Sequence, residues 1–236
     1  TVWDEVMYVQ GGVLHAVCKD GRWGFVDDTG RVVVECRYDK TWGFVGDVAM
    51  VRTGSKWGLV NGAGEGIIPC KYDHIENFVD GVAMVVNNGR YGFVDELGHE
   101  VVVCKYEQAQ GFVGDLAAVK QRSKWGFVNR EGVVVVAPSY DEVSSFAGDL
   151  AAVKSANGKW GYIDRTGRSV ISPRFDTATT FDGGLARARL NGVEYYIDRS
   201  GNCRYDFCNA ASKEQYGCVV VGYKGRYGLV SSEGVE

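Results

Sequence analysis

Four cysteines stand in one recurring position. Cys36, Cys70, Cys104 and Cys203 each lie two residues before a tyrosine, and the first three are 34 residues apart. Thiols in a row are the raw material of a soft-metal site or a redox ladder. Stacked sheets lie about 10 Å apart, whereas zinc holds its sulfurs at about 2.3 Å. Neighbouring rungs therefore cannot share one ion. The position reads instead as a small, weakly hydrophobic filler, and Pro138 and Pro173 take the same place further along. No metal or other cofactor is expected. With Cys18, Cys208 and Cys218 the total is seven. An odd number without paired spacing argues against a disulfide framework and favours a reducing compartment.

Cations also recur. Arg22, Lys56, Arg90, Lys124, Lys159 and Arg226 each precede an aromatic residue, and Arg37, Lys71, Lys105, Arg174 and Arg204 form a second column. Such a stripe could grip an acidic peptide, a phosphate-rich ligand or an anionic polymer. Carboxylates return at the same interval, however, as Asp39, Asp73, Glu107, Asp141, Asp176 and Asp206. Pairing between the columns would neutralise the stripe. The net charge of −4 gives no drive toward nucleic acid. Trp42, Tyr8 and Tyr223 fall outside the aromatic columns and could stack on a ligand. The candidate partner surface is therefore Arg22, Lys56, Arg90, Lys124, Lys159, Arg226, Trp42 and Tyr223.

Catalytic chemistry has no comparable signal. The three histidines, His15, His74 and His99, share no column and no metal-like spacing. No motif announces a Ser-His-Asp or Cys-His site. Gly62-Ala63-Gly64-Glu65-Gly66 is glycine-rich, but it precedes a strand, whereas a phosphate loop opens a helix. The chain is expected not to be an enzyme.

All these columns follow from one repeat. Trp23-Gly24, Trp57-Gly58, Tyr91-Gly92, Trp125-Gly126, Trp160-Gly161 and Tyr227-Gly228 mark copies about 34 residues long, and Glu194-Tyr195 is a degenerate version. Seven copies result, spanning about 3–37, 38–71, 72–105, 106–139, 140–174, 175–204 and 205–236 of one repeat domain. A fixed period of this size signals stacked repeats. Each copy holds three short runs rich in Val and aromatics, split by Gly, Asp, Asn and Ser, which is strand chemistry with turns. Helical repeats of similar length are excluded because the runs are short and lack a 3.6-residue period. Asp27, Asn61, Asp95, Asn129, Asp164 and Asp198, each followed three residues later by Gly, mark a tight turn.

Both faces of these strands are apolar, so each three-stranded antiparallel meander should stack face to face with its neighbours. The small residues Ala49, Ala83, Ala117, Ala151 and Ala186 and the glycine after each Trp should leave room for that approach. Tyr38, Tyr72, Tyr106, Tyr140, Phe175 and Tyr205, with Phe44, Phe78, Phe112, Phe146 and Phe181, should fill the space between meanders.

The pattern Lys/Arg-Trp-Gly-Phe/Tyr-Val/Ile-Asp, the turn Gly, the Val/Ile runs, Tyr-Asp and Phe-x-x-Gly resemble the WG-repeat (KWG-repeat) family over nearly the entire chain. The resemblance implies a binding or scaffold module with no assigned catalytic residues. The end copies depart from the pattern: Trp3, Val9 and His15 replace Tyr, Phe and Ala, and the last copy lacks Phe-x-x-Gly. Degenerate ends suit a capped open array. The all-β fold is thus expected to be an open or imperfectly closed stack, with a seven-bladed β-propeller as the alternative.

The expected function is a non-catalytic protein-protein interaction scaffold, with turn residues such as Thr53-Gly54-Ser55 and Gln121-Arg122-Ser123 carrying specificity. The alternative is a module that binds a glycan or an anionic polymer. A protein partner is expected, and no nucleic acid. No run of 18 apolar residues provides a membrane span. Open strand edges are sticky unless covered, so the termini are expected to meet a partner, a second copy or further domains.

Overall fold

The computed structural model describes residues 2–7, 14–182, 184–206, 218–223 and 226–231, with side chains described up to Cys203. The chain divides into two compact units, 1–109 and 110–236. Every strand pair in them is antiparallel, and the described strands group into six sheets. None of these sheets closes on itself. No helix among the described residues is long and apolar enough to cross a membrane.

The second copy shows the plan. Its strands are Lys40–Val45, Val48–Thr53, Lys56–Asn61 and Gly66–Tyr72, paired in that order. The three expected strands are therefore joined by a fourth at one edge. Elsewhere this edge strand is short, as in His74–Ile75, Glu142–Val143 and Thr177–Ala178. The Tyr or Phe that opens the second to sixth sequence copies closes the last strand of the preceding sheet. The sixth sheet has six strands, because Cys218–Tyr223 and Arg226–Ser231 add to it through the pairing of Asp206 with Gly222. The hairpin of the seventh copy thus extends its neighbour's sheet.

The turn columns act as their chemistry requires. Asp27 Oδ1 accepts the backbone N–H groups of Thr29 and Arg31, both at 3.0 Å. The Gly30 N–H donates to the Asp27 carbonyl at 2.9 Å. Asn61 and Asp164 repeat the arrangement with their own neighbours. Gly30 and its equivalents adopt positive φ, between 75° at Gly132 and 87° at Gly98. Gly98 does a second job. A Cβ there would meet the Ile67 backbone of the previous copy, so this glycine also sets how closely the third meander approaches the second.

The glycine after each Trp has a different reason from the one its sequence position suggests. It faces the next strand of its own sheet. Trp57 pairs with Tyr72 while Leu59 pairs with Ile68, so the strand Gly66–Tyr72 bulges across Gly58. A Cβ on Gly58 would lie 2.8 Å from Cys70 N and Pro69 C, and closer still to the Ile68 carbonyl oxygen. Gly24, Gly92, Gly126 and Gly161 meet equivalent backbone atoms.

Meanders stack face to face within each unit. Phe25, Val34 and Tyr38 of the first pack with Phe44, Ala49 and Val51 of the second. Ile68 and Tyr72 of the second pack with Ile75, Ala83 and Val85 of the third. In the other unit Phe127 and Val136 pack with Phe146 and Val153, and Tyr162 and Phe175 pack with Phe181 and Ala188. Phe25–Phe44 and Phe127–Phe146 meet edge to face, with centroids 5.0 and 4.9 Å apart. The alanine column is buried throughout, as the close approach demands. Tyr140, Phe78 and Phe112 are only partly buried.

Candidate interaction surface

The basic column lies along one row of ion pairs. Lys56 Nζ meets Asp73 and Lys159 Nζ meets Asp176, both at 2.5 Å. Arg22 pairs with Asp39, Lys124 with Asp141, and Arg90 approaches Glu107 at 4.0 Å. Each pair spans the same 17 residues, because the carboxylate follows the Tyr that pairs across from Trp. The other carboxylate oxygen turns to a hairpin of its own copy, one copy on from the cation. Asp39 Oδ2 accepts the Gly54 N–H at 2.6 Å, and Asp73 Oδ2 accepts the Asn88 N–H at 2.6 Å. With Asp176 Oδ2, which accepts the Gly192 N–H at 3.3 Å, these carboxylates tie three meanders to the following hairpin. The Lys56 ammonium holds the Asp73 carboxyl below its ordinary value, with help from the Asn88 and Gly89 N–H groups. Lys159 acts in the same way on Asp176. Arg226 and Tyr223 fall in described strands, but their side chains lie outside the described residues, as does Tyr8.

The Trp column is half-buried, and its outer faces carry cations from the neighbouring strand. Arg52 lies 5.7 Å from the Trp57 ring, Lys120 5.7 Å from Trp125 and Lys154 5.9 Å from Trp160. In the cysteine column Cys36, Cys70 and Cys104 are likewise half-buried, and Cys203 is exposed. The thiols of Cys36, Cys70 and Cys104 donate to the carbonyls of Val17, Val51 and Val85 at 3.7, 3.6 and 3.9 Å. Burial pushes the Cys104 thiol up to about 11, with the Glu100 charge adding to the shift. Among the described residues no group of three or more His, Cys, Asp or Glu could hold a metal ion.

Trp42 stands apart. The edge strand Lys40–Val45 is six residues long and carries a register shift between Thr41 and Phe44. Thr41 Oγ1 donates to the Met50 carbonyl at 2.8 Å and accepts the Gly43 N–H at 3.1 Å. Gly43 takes φ 78°. This bulge turns Trp42 outward, where it is 57% exposed and stacks on Trp57 at 6.0 Å. Lys40 Nζ lies 4.4 Å from its ring.

Beside Trp42, two hollows open between the second and third copies, of about 480 and 590 Å³. They share Val45, Met50, Glu76 and Asn77 in their walls. Val45 and Leu97 on the walls are each 72% exposed, and Val79 is 61% exposed. Asp47, Glu76 and Glu96 line the smaller hollow, and no Lys or Arg does. None of these residues except Trp42 is a sequence-derived candidate. For Trp42, Glu76, Glu96 and Leu97 the signal lies in column positions where one copy departs from the rest, and those departures acquire meaning only once the copies are placed side by side; Val45 and Val79 share a column with Val113, and Asp47 shares one with Asp115 and Asp149.

The family described as WG containing repeat matches residues 23–57, 57–91, 91–125, 125–160 and 160–193. A comparison with curated proteins gave no match. Among solved structures, the chain is similar to the computationally designed Ika8 protein at 13% identity, covering 96% of this chain and 83% of that one, with a TM-score of 0.42. It is similar to BamB from Moraxella catarrhalis at 14% identity, covering 98% and 82%, with a TM-score of 0.37. It is also similar to the WD40 beta propeller domain of Doa1 at 12% identity, covering 99% and 92%, with a TM-score of 0.34. The five family matches run without a break from 23 to 193, and the protein belongs to the WG-repeat family.

Proposed function

We propose that this chain is a non-catalytic scaffold that binds protein partners. The observation that carries the reading is how the repeated side chains are used. The described cations of the first basic column meet carboxylates, the column aromatics pack between meanders, and three column thiols bond to carbonyls. Repeated residues hold the stack. Recognition then falls to non-repeated residues, and the exposed apolar Trp42 and Leu97 are of that kind.

The second reading, a glycan- or anionic-polymer-binding module, draws support from the exposed Trp42–Trp57 stack. The paired basic column weighs against its anionic form, since a neutralised stripe has little field left to offer. Affinity capture from lysate of the source organism, at low and at moderate salt, separates the readings. A stoichiometric protein retained at both salts supports the scaffold. Binding that vanishes at moderate salt, or recovery of polymer alone, overturns it.

A further inference from the structure

The residue after the turn Asp or Asn differs among copies in a telling way. In the second unit it is Arg130, Arg165 and Arg199. Each guanidinium lies over the Phe of its own copy, at 5.0 Å from Phe112, 5.1 Å from Phe146 and 6.0 Å from Phe181. Arg130 Nε donates to the Gly114 carbonyl at 3.1 Å and Arg165 Nη2 to the Gly148 carbonyl at 3.0 Å. The chain thus carries a guanidinium cradle made of a Phe ring and the carbonyl two residues after it. The cradle is filled from within.

In the third copy the same position is Glu96. The Phe is present as Phe78, and the carbonyl two residues on belongs to Asp80, whose φ of 49° matches the positive φ of Gly114 and Gly148. The arginine is missing, and the 480 Å³ hollow opens at this place, with Phe78 and Glu96 both in its wall. Asp47, Glu76 and Glu96 turn the lining acidic, and none of the three has an ion-pair partner among the described residues. Their neighbours Val45 and Leu97 present apolar surface to solvent.

We propose that this groove binds an arginine side chain presented by an extended, otherwise apolar segment of a protein partner. The guanidinium takes the place over Phe78 that Arg130 and Arg165 take over their own phenylalanines. It faces the Glu96 and Glu76 carboxylates that line the hollow. Apolar residues on either side of the arginine cover Val45 and Leu97. Planar fork geometry and weak hydration suit arginine to this cradle better than lysine. The proposal names the surface and partner chemistry of the scaffold reading above and rests on it.

The test uses the full chain and four nine-residue synthetic peptides. One has a central Arg between leucines. In the others that Arg is replaced by Lys, neutral citrulline or Glu. Amide chemical shifts are followed at millimolar peptide. The Arg peptide should perturb Phe78, Glu96 and Leu97, and the citrulline and Glu peptides should bind at least about tenfold more weakly. Glu96→Arg should fill the cradle from within, abolish Arg-peptide binding and leave the melting temperature equal or higher. Glu76→Gln keeps the surface folded by an independent route and should weaken binding severalfold. Equal binding of all four peptides, no perturbation at these residues, or undiminished binding to Glu96→Arg overturns the assignment. Perturbation of the same residues on raising protein concentration alone assigns the groove to a second copy of this chain and also overturns it. A partner captured from lysate equally by wild type and Glu96→Arg removes the groove while leaving the scaffold standing. Failure of wild type to capture any protein removes the scaffold.

Discussion

Three glycines in the second copy separate three reasons for glycine. Gly58 follows Trp57 and lies under the bulge of the next strand of its sheet, Gly66–Tyr72. Its missing Cβ would lie 2.8 Å from two backbone atoms and nearer to a third. Overpacking that side chains can absorb costs about 1–3 kcal/mol. Here the opposing atoms are all backbone and paired to Trp57 and Leu59 on either side, so Gly58→Ala should cost about 3 kcal/mol or more. Gly54 has φ +61° but nothing within 4 Å, so Gly54→Ala should cost only the left-handed backbone term, about 1–2 kcal/mol. Gly66 has neither problem, and Gly66→Ala should be neutral or slightly stabilising, by less than about 1 kcal/mol. At about 2–4 °C per kcal/mol for a chain of this size, the losses are about 6–12 °C, about 2–8 °C and none. Scanning calorimetry, with urea midpoints as a second probe, reads the series. A Gly58→Ala shift no larger than that of Gly54→Ala would refute the bulge as the reason for the Trp-Gly dipeptide.

Further outcomes follow from the same contacts. Tyr72 Oη is buried and donates to Glu100 Oε1 at 2.8 Å, so Tyr72→Phe should cost about 1.5 kcal/mol in chemical denaturation. Tyr106 Oη is buried with no hydrogen-bond partner among the described residues, so Tyr106→Phe should be neutral or stabilising by up to about 1 kcal/mol, and a comparable loss there would contradict the reading. Acid should weaken the stack in a defined window. The carboxyls of Asp73 and Asp176 are held down by Lys56 and Lys159, and those of Asp27 and Asp164 by the Thr29 and Thr166 hydroxyls and nearby N–H groups. Because the folded values lie below the unfolded 3.8, this stabilisation is complete above that pH and fades as the pH falls beneath it. Melting temperature should be level from neutral pH to about 5 and drop below about 4, and Asp73→Asn should shrink the drop. Alkylation at pH 8 should modify the exposed Cys203 well before Cys104, whose thiol is pushed up to about 11.

What the sequence makes legible is what each copy repeats locally. The strand runs, the Asp/Asn-to-Gly turns and the apolar columns are short-range signals read once per copy, and repetition averages out their noise. The basic and acidic columns also announce their pairing, because both recur at one interval. Register is different. That Gly58 faces the backbone of its own sheet depends on three residues, Pro69, Cys70 and Lys71, standing opposite it where a regular ladder has one, and no local pattern counts them. The bulge that exposes Trp42 rests on Thr41 reaching the Met50 carbonyl, a contact between neighbouring strands. The groove is harder still. Asp47, Glu76 and Glu96 lie in separate turns and edges, and the step from Arg130 to Glu96 in one column gains meaning only when the ring beneath it is seen.

The central claim is that repeated residues build the stack and non-repeated ones bind. Lys124→Gln removes a column cation whose pair with Asp141 is part-exposed, a change worth about 0–1 kcal/mol of stability. Trp42→Ala removes an exposed side chain outside the columns. The decisive measurement is quantitative capture of protein partners by wild type, Lys124→Gln and Trp42→Ala, with the fold of each checked by its melting curve. The account predicts that Lys124→Gln captures as wild type does while Trp42→Ala captures less at unchanged fold. Loss of capture by Lys124→Gln with its fold intact, and full capture by Trp42→Ala, would contradict it.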